Sequence, residues 1–163
     1  MKTIKIKVYK FKELNEDAKS FAIEYYKNGN NATQDGWYDH ILEDASDLGI
    51  EFDEFDVTRG WFITKLKAKA STLVGNILER CEKDSELFVI ARRYAEKMAD
   101  NNHFSYQSDK NVMDRKFIND VSKYFMKILK GHFEYTNTDT YIAEYYDAND
   151  YWFLECGVII ITP

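Results

Sequence analysis

The chain has 163 residues, the usual size of one domain, and its 45% hydrophobic content supplies a core and argues against intrinsic disorder. Its formal net charge is −6, and no apolar run approaches the ~20 residues that cross a bilayer, which excludes a helical membrane protein. The single proline is Pro163 and no Pro- or Gly-rich linker occurs, so one domain over residues 1–163 is expected.

Thr3 to Phe11 alternates Ile4, Ile6 and Val8 with Lys5 and Lys7, the pattern of a half-buried strand. The same opening lacks the apolar stretch of a signal peptide. Asn15 can cap a helix over about 16–28, with a stripe at Ala18, Phe21, Ala22 and Tyr25 and Gly29 at its end. A second helix is expected from Trp37 to Leu48, striped by Trp37, Ile41, Ala45 and Leu48 and closed by Gly49. Ile50 to Val57 and Trp61 to Lys67 read as a hairpin turning through Thr58-Arg59-Gly60. The apolar positions switch parity between Phe52 and Phe55, which predicts a bulge.

From Ser71 the period becomes helical. Leu73, Val74, Ile77, Leu78 and Cys81 stripe a third helix, and Leu87, Ile90, Ala91, Tyr94, Ala95 and Met98 a fourth that Asp84 or Ser85 can cap. Met113, Phe117, Val121, Tyr124, Phe125 and Ile128 stripe a fifth helix over about 109–130, with Gly131 as its stop. Thr138 can cap a sixth running through Tyr146, and strands follow at Tyr151 to Cys156 and Val158 to Ile161, split at Gly157. The sum is an α+β fold, a mostly antiparallel sheet of four to five strands packed against five to six helices.

No catalytic set emerges. There is no phosphate-cradling Gly-rich loop, no nucleophile elbow, and Cys81 and Cys156 share no metal or redox spacing. His40 with Glu43 and Asp44 shares one helix face but lacks the second histidine of a zinc motif. The acids of residues 51–56 alternate with apolar residues as a strand does, without the glycine of a calcium loop. No enzyme activity, metal or cofactor is expected.

The distinctive feature is segregated charge. No Lys or Arg occurs from Asn28 to Thr58, a span holding Asp35, Asp39, Glu43, Asp44, Asp47, Glu51, Asp53, Glu54 and Asp56. Asp39, Glu43 and Asp47 recur every four residues along one helix edge, where each like-charge pair costs a few tenths of a kcal/mol. Such a row can stand in for phosphates before a groove lined with Lys and Arg. Trp37, Tyr38 and Trp61 flank it as candidate anchors. Tyr141, Tyr145, Tyr146, Tyr151, Trp152 and Phe153, interleaved with Glu144, Asp147 and Asp150, form a second acidic and aromatic patch, with core packing as the competing role. Lys5, Lys7, Lys10, Arg92, Arg93, Arg115 and Lys116 sit in no recognised nucleic-acid motif, so direct nucleic-acid binding is not expected.

Three stretches carry a resemblance: Val8-Tyr9-Lys10-Phe11-Lys12-Glu13-Leu14-Asn15-Glu16-Asp17-Ala18-Lys19; Trp37 through Gly60, with Glu43-Asp44-Ala45, Leu48-Gly49-Ile50 and Phe55-Asp56-Val57-Thr58-Arg59-Gly60; and Ala148-Asn149-Asp150-Tyr151. They resemble a family of small phage and prophage proteins, often labelled antitoxin, that is a source of anti-defence proteins of the anti-CRISPR type. Ser71 to Lys130 matches that family only in helical character. The resemblance brings no catalytic residue. It implies an inhibitor in the cytoplasm of a bacterial host that binds a defence protein stoichiometrically, a Cas nuclease first among them. An antitoxin-like module that neutralises a toxin and a nucleic-acid-binding phage accessory protein using the basic 59–130 region are the alternatives. Nothing in the sequence specifies an oligomeric state, and no membrane contact is expected.

Overall fold

A computed structural model describes residues 5–29, 36, 38–67, 69–100 and 107–160, with the side chains of 107–109 left aside. The fold is α+β and mostly helical, with six helices and two small antiparallel sheets among the described residues. A 3-10 turn at Phe11–Glu13 precedes α1 (Glu16–Asn28). Then come α2 (Asp39–Leu48), β1 (Ile50–Asp56), β2 (Trp61–Leu66), α3 (Ala70–Arg80) and α4 (Glu86–Asp100). The chain ends with α5 (Gln107–Thr136), α6 (Asp139–Ala148), β3 (Trp152–Phe153) and β4 (Ile159–Ile160). Four of the five expected strand segments are present among the described residues, but they pair as β1 with β2 and β3 with β4 rather than as one sheet. None of the described helices is long and apolar enough to cross a membrane.

The chain divides into two compact units, residues 1–37 with 132–163 and residues 38–131. In the first, α1 begins where the Asn15 side chain accepts a hydrogen bond from the Ala18 amide at 2.9 Å. The helix buries Ala18, Ala22 and Tyr26. Phe21 and Tyr25, expected on that stripe, are exposed, because the buried row repeats every four residues and so swings to Tyr26. The Thr138 hydroxyl accepts from the Tyr141 amide at 3.2 Å to start α6, which buries Ile142 and Tyr146 against Phe11, Leu14 and Phe153. Of the strand expected over 3–11, residues 3 and 4 lie outside the described residues, and no strand forms over 5–11. Residues 5–8 lie outside any strand, and only Tyr9 bridges Phe153, with both amides bonded at 2.9 Å. A two-residue β3 offers no longer edge for that segment to pair with, so Ile6 and Val8 stay exposed.

In the second unit, α2 buries Ile41, Ala45 and Leu48 and ends at Gly49, whose φ of +111° suits glycine. Its last carbonyls find donors on α3: the Asn76 side chain reaches Leu48 O at 2.8 Å, and Arg80 reaches Asp47 O at 3.1 Å. The β1–β2 register carries the expected bulge between Phe52 and Glu54. Phe52 makes edge-on ring contacts with Phe55, with Phe62 and with Phe125 of α5. Ser85 caps α4, its hydroxyl accepting from the Phe88 amide at 3.2 Å. On α5, Phe117, Val121, Phe125 and Leu129 are buried. Gly131 does not stop that helix, which continues to Thr136. A glycine terminates a helix when the chain turns into left-handed backbone there, and Gly131 keeps a negative φ.

Candidate partner-binding surface

The acidic segment occupies α2 and the hairpin after it. Asp39, Glu43, Asp44 and Asp47 are all exposed on α2, with Asp39 in the first turn where the helix dipole favours it. Among the described residues, none of these four carboxylates, nor that of Glu54, has an ion-pair partner within 4.0 Å. The remaining acids are answered locally. Glu51 meets Lys67 at 3.1 Å, Asp53 meets Lys65 at 2.8 Å, and Asp56 meets Arg59 at 3.5 Å. Asp56 also accepts from the Thr58 hydroxyl at 2.6 Å and the Arg59 amide at 2.9 Å, and these two bonds hold its carboxyl below the usual range. The hairpin half of the acidic segment is therefore partly neutralised by Arg59 of the turn, Lys65 of β2 and Lys67 just after it. The α2 half is not.

Strand alternation sorts the hairpin residues. Trp61, Ile63 and Lys65 face outward across from Asp56, Glu54 and Glu51, while Phe62, Thr64 and Leu66 face inward. The outer face thus combines an exposed Trp61 and an exposed Ile63 with carboxylates on the facing strand. Tyr38 is half-buried at the head of α2, its ring edge-on to Phe55 with centroids 5.3 Å apart, so it serves the hairpin's inner face rather than an open anchor. Trp37 and Asp35 lie outside the described residues.

Two hollows flank α2. One, of about 290 Å³, is lined by Asp39, Leu42, Glu43, Ser46, Glu51 and Phe52, which brings the helical acids beside those of β1. The other, of about 460 Å³, has a buried apolar floor of Ile41, Leu48, Leu87 and Phe125, with Asp44, Asp47, Arg80 and Tyr124 around it. Burial first, and then the nearby Cys81, itself neutral until well above neutral pH, and the Glu86 carboxylate, push the Tyr124 phenol up, so it stays protonated at neutral pH. Burial likewise raises the Cys81 thiol, which keeps it a poor nucleophile. Among the described residues no group of three His, Cys, Asp or Glu side chains gathers into a metal-binding set.

The second acidic and aromatic patch is largely core. Tyr146 and Phe153 are fully buried, with ring centroids 5.0 Å apart, and the Tyr146 hydroxyl donates to Ala22 O at 2.9 Å. Tyr141, Tyr145, Tyr151 and Trp152 are half-buried, and Lys10 lies 3.6 Å over the Trp152 ring while pairing with Asp150. Of the scattered basic residues, Arg92 is paired with Glu96 at 2.7 Å, and Arg93 and Lys116 line a small apolar groove between α4 and α5. Sequence reasoning missed Ile63 as the companion of Trp61, although period-two alternation places them together. It also missed the 460 Å³ hollow, whose walls come from four helices.

No protein-family model matches the chain, and neither a curated protein nor a solved structure matches it.

Proposed function

We propose that this chain is a stoichiometric inhibitor, carried by a phage or prophage, that occupies a basic nucleic-acid groove of a host defence protein, a Cas nuclease being the first candidate. One observation carries the reading: Asp39, Glu43, Asp44, Asp47 and Glu54 stand exposed with no ion-pair partner among the described residues, and on the hairpin Glu54 lies across from an exposed Ile63, two residues from an exposed Trp61. Unpaired carboxylates along one helix repel each other, and a cationic partner relieves that repulsion. The aromatic and aliphatic side chains of β2 supply the apolar area that charge alone lacks. The resemblance to phage proteins of anti-defence type supports the same choice of partner class.

The test is capture of partners by the tagged chain from nuclease-treated bacterial lysate, run beside a D39K/E43K/D47K variant. The reading expects a nuclease recovered in stoichiometric amount by the parent chain and lost with the variant. It also expects binding that weakens with salt, since exposed charges are screened over about 8 Å at physiological ionic strength. All three positions are exposed, so the variant keeps the fold. Equal capture by parent and variant would sink the reading.

A further inference from the structure

We infer that the hollow walled by α2, α3, α4 and α5 receives an arginine side chain of the partner. The inference rests on the binding reading above and names the group that reading requires. Its volume of about 460 Å³ falls within the ~300–1,000 Å³ typical of ligand pockets, so it admits a long side chain with its stem. The floor is apolar and buried, formed by Ile41, Leu48, Leu87 and Phe125. An alkyl stem gains there by leaving water. At the rim stand the carboxylates of Asp44 and Asp47, both exposed and without ion-pair partners among the described residues, with the Tyr124 ring beside them.

The competing occupants fit less well. An anion would meet two carboxylates. A wholly apolar group would strip water from those carboxylates and return no hydrogen bond. Arg80, which shares the lining with His40, donates one guanidinium N–H to the main-chain carbonyl of Asp47 at 3.1 Å and makes no ion pair with either rim carboxylate within 4.0 Å, so both stay open. A lysine would bring charge but holds its water tightly. A guanidinium is more weakly hydrated, stacks on aromatic faces and forks toward two carboxylate oxygens, which matches an aromatic wall under an acidic rim.

The experiment is an amide NMR titration of the full chain with Nα-acetyl-arginine methylamide, and in parallel with the citrulline analogue, which keeps the shape and lacks the charge. We expect saturable shifts at the amides of Asp44, Leu48, Cys81 and Ile128, with citrulline about tenfold weaker. A D44N/D47N variant, exposed at both positions and folded by the dispersion of its own spectrum, should lose arginine affinity to the same degree. Three outcomes overturn the inference: no shift up to tens of millimolar, shifts confined to Asp39 and Glu43, or citrulline binding as well as arginine. None of the three bears on capture of the partner by the parent chain over a D39K/E43K variant, which leaves the rim carboxylates Asp44 and Asp47 in place, so the pocket and the acidic surface fail separately.

Discussion

Gly157 offers the sharpest test of how the first unit is packed. It sits between β3 and β4 with a φ of +86°, and a Cβ built on it would lie 2.2 Å from the carbonyl oxygen of Ala18 in α1. Alanine there carries two costs. The left-handed backbone costs a residue with a Cβ about 1 kcal/mol. The clash is with backbone, not with the far end of a flexible side chain, so the turn must move off α1, at about 2 kcal/mol by the scale of overpacked cores. Gly60 in the hairpin turn separates the two, with a φ of +70° and nothing within 4 Å of its would-be Cβ. Gly60→Ala should therefore cost about 1 kcal/mol and Gly157→Ala about 3. Urea denaturation reads the totals. Amide hydrogen exchange then locates them, with protection lost in α1 and α6 for Gly157→Ala and in β1 and β2 for Gly60→Ala. If the two variants lose equal stability, the close approach of Gly157 to Ala18 is wrong.

Two further outcomes are expected. Tyr146→Phe keeps a buried ring but deletes the hydroxyl that donates to Ala22 O at 2.9 Å, so it should cost about 1 kcal/mol in the same denaturation measurement, and an unchanged midpoint would show that bond to be idle. Asp56, held below its usual value of 3.8 first by the Thr58 hydroxyl and then by the Arg59 amide, supports the hairpin turn above that pH and withdraws its support as pH falls through the lower folded value. A carbon-detected titration of the carboxyl should place its midpoint below 3.8, and Thr58→Val should move it upward; a midpoint at or above 3.8 in the parent chain contradicts the Thr58 contact.

Local chemistry made much of the fold legible in advance. Asn15 and Thr138 each accept a hydrogen bond from an amide three residues on, so their helices could be placed from those side chains. Gly49 ends α2, and the parity switch between Phe52 and Phe55 is a real bulge, because left-handed backbone and strand alternation leave direct marks on residue type. The acidity of α2 was equally plain, since no cation lies between Asn28 and Thr58 to answer it within the segment.

What the sequence determined by itself is thus the set of helices, their caps, the hairpin and the exposed acidic row. Tertiary structure decided the rest, because it depends on partners distant in the chain. Alternation over 3–11 specifies a strand only if another edge runs alongside, and the short β3 supplies a single bridge at Tyr9. Gly131 can end a helix or continue one, and the backbone around it continues. Lys65 and Lys67 neutralise β1 only once the hairpin register sets them across from it, which divides the acidic segment into an answered half and an open one. The hollow beside α2 exists because Leu87, Phe125 and Ile128, more than thirty residues away in sequence, fold against Ile41 and Leu48 and leave Asp44 and Asp47 at the rim.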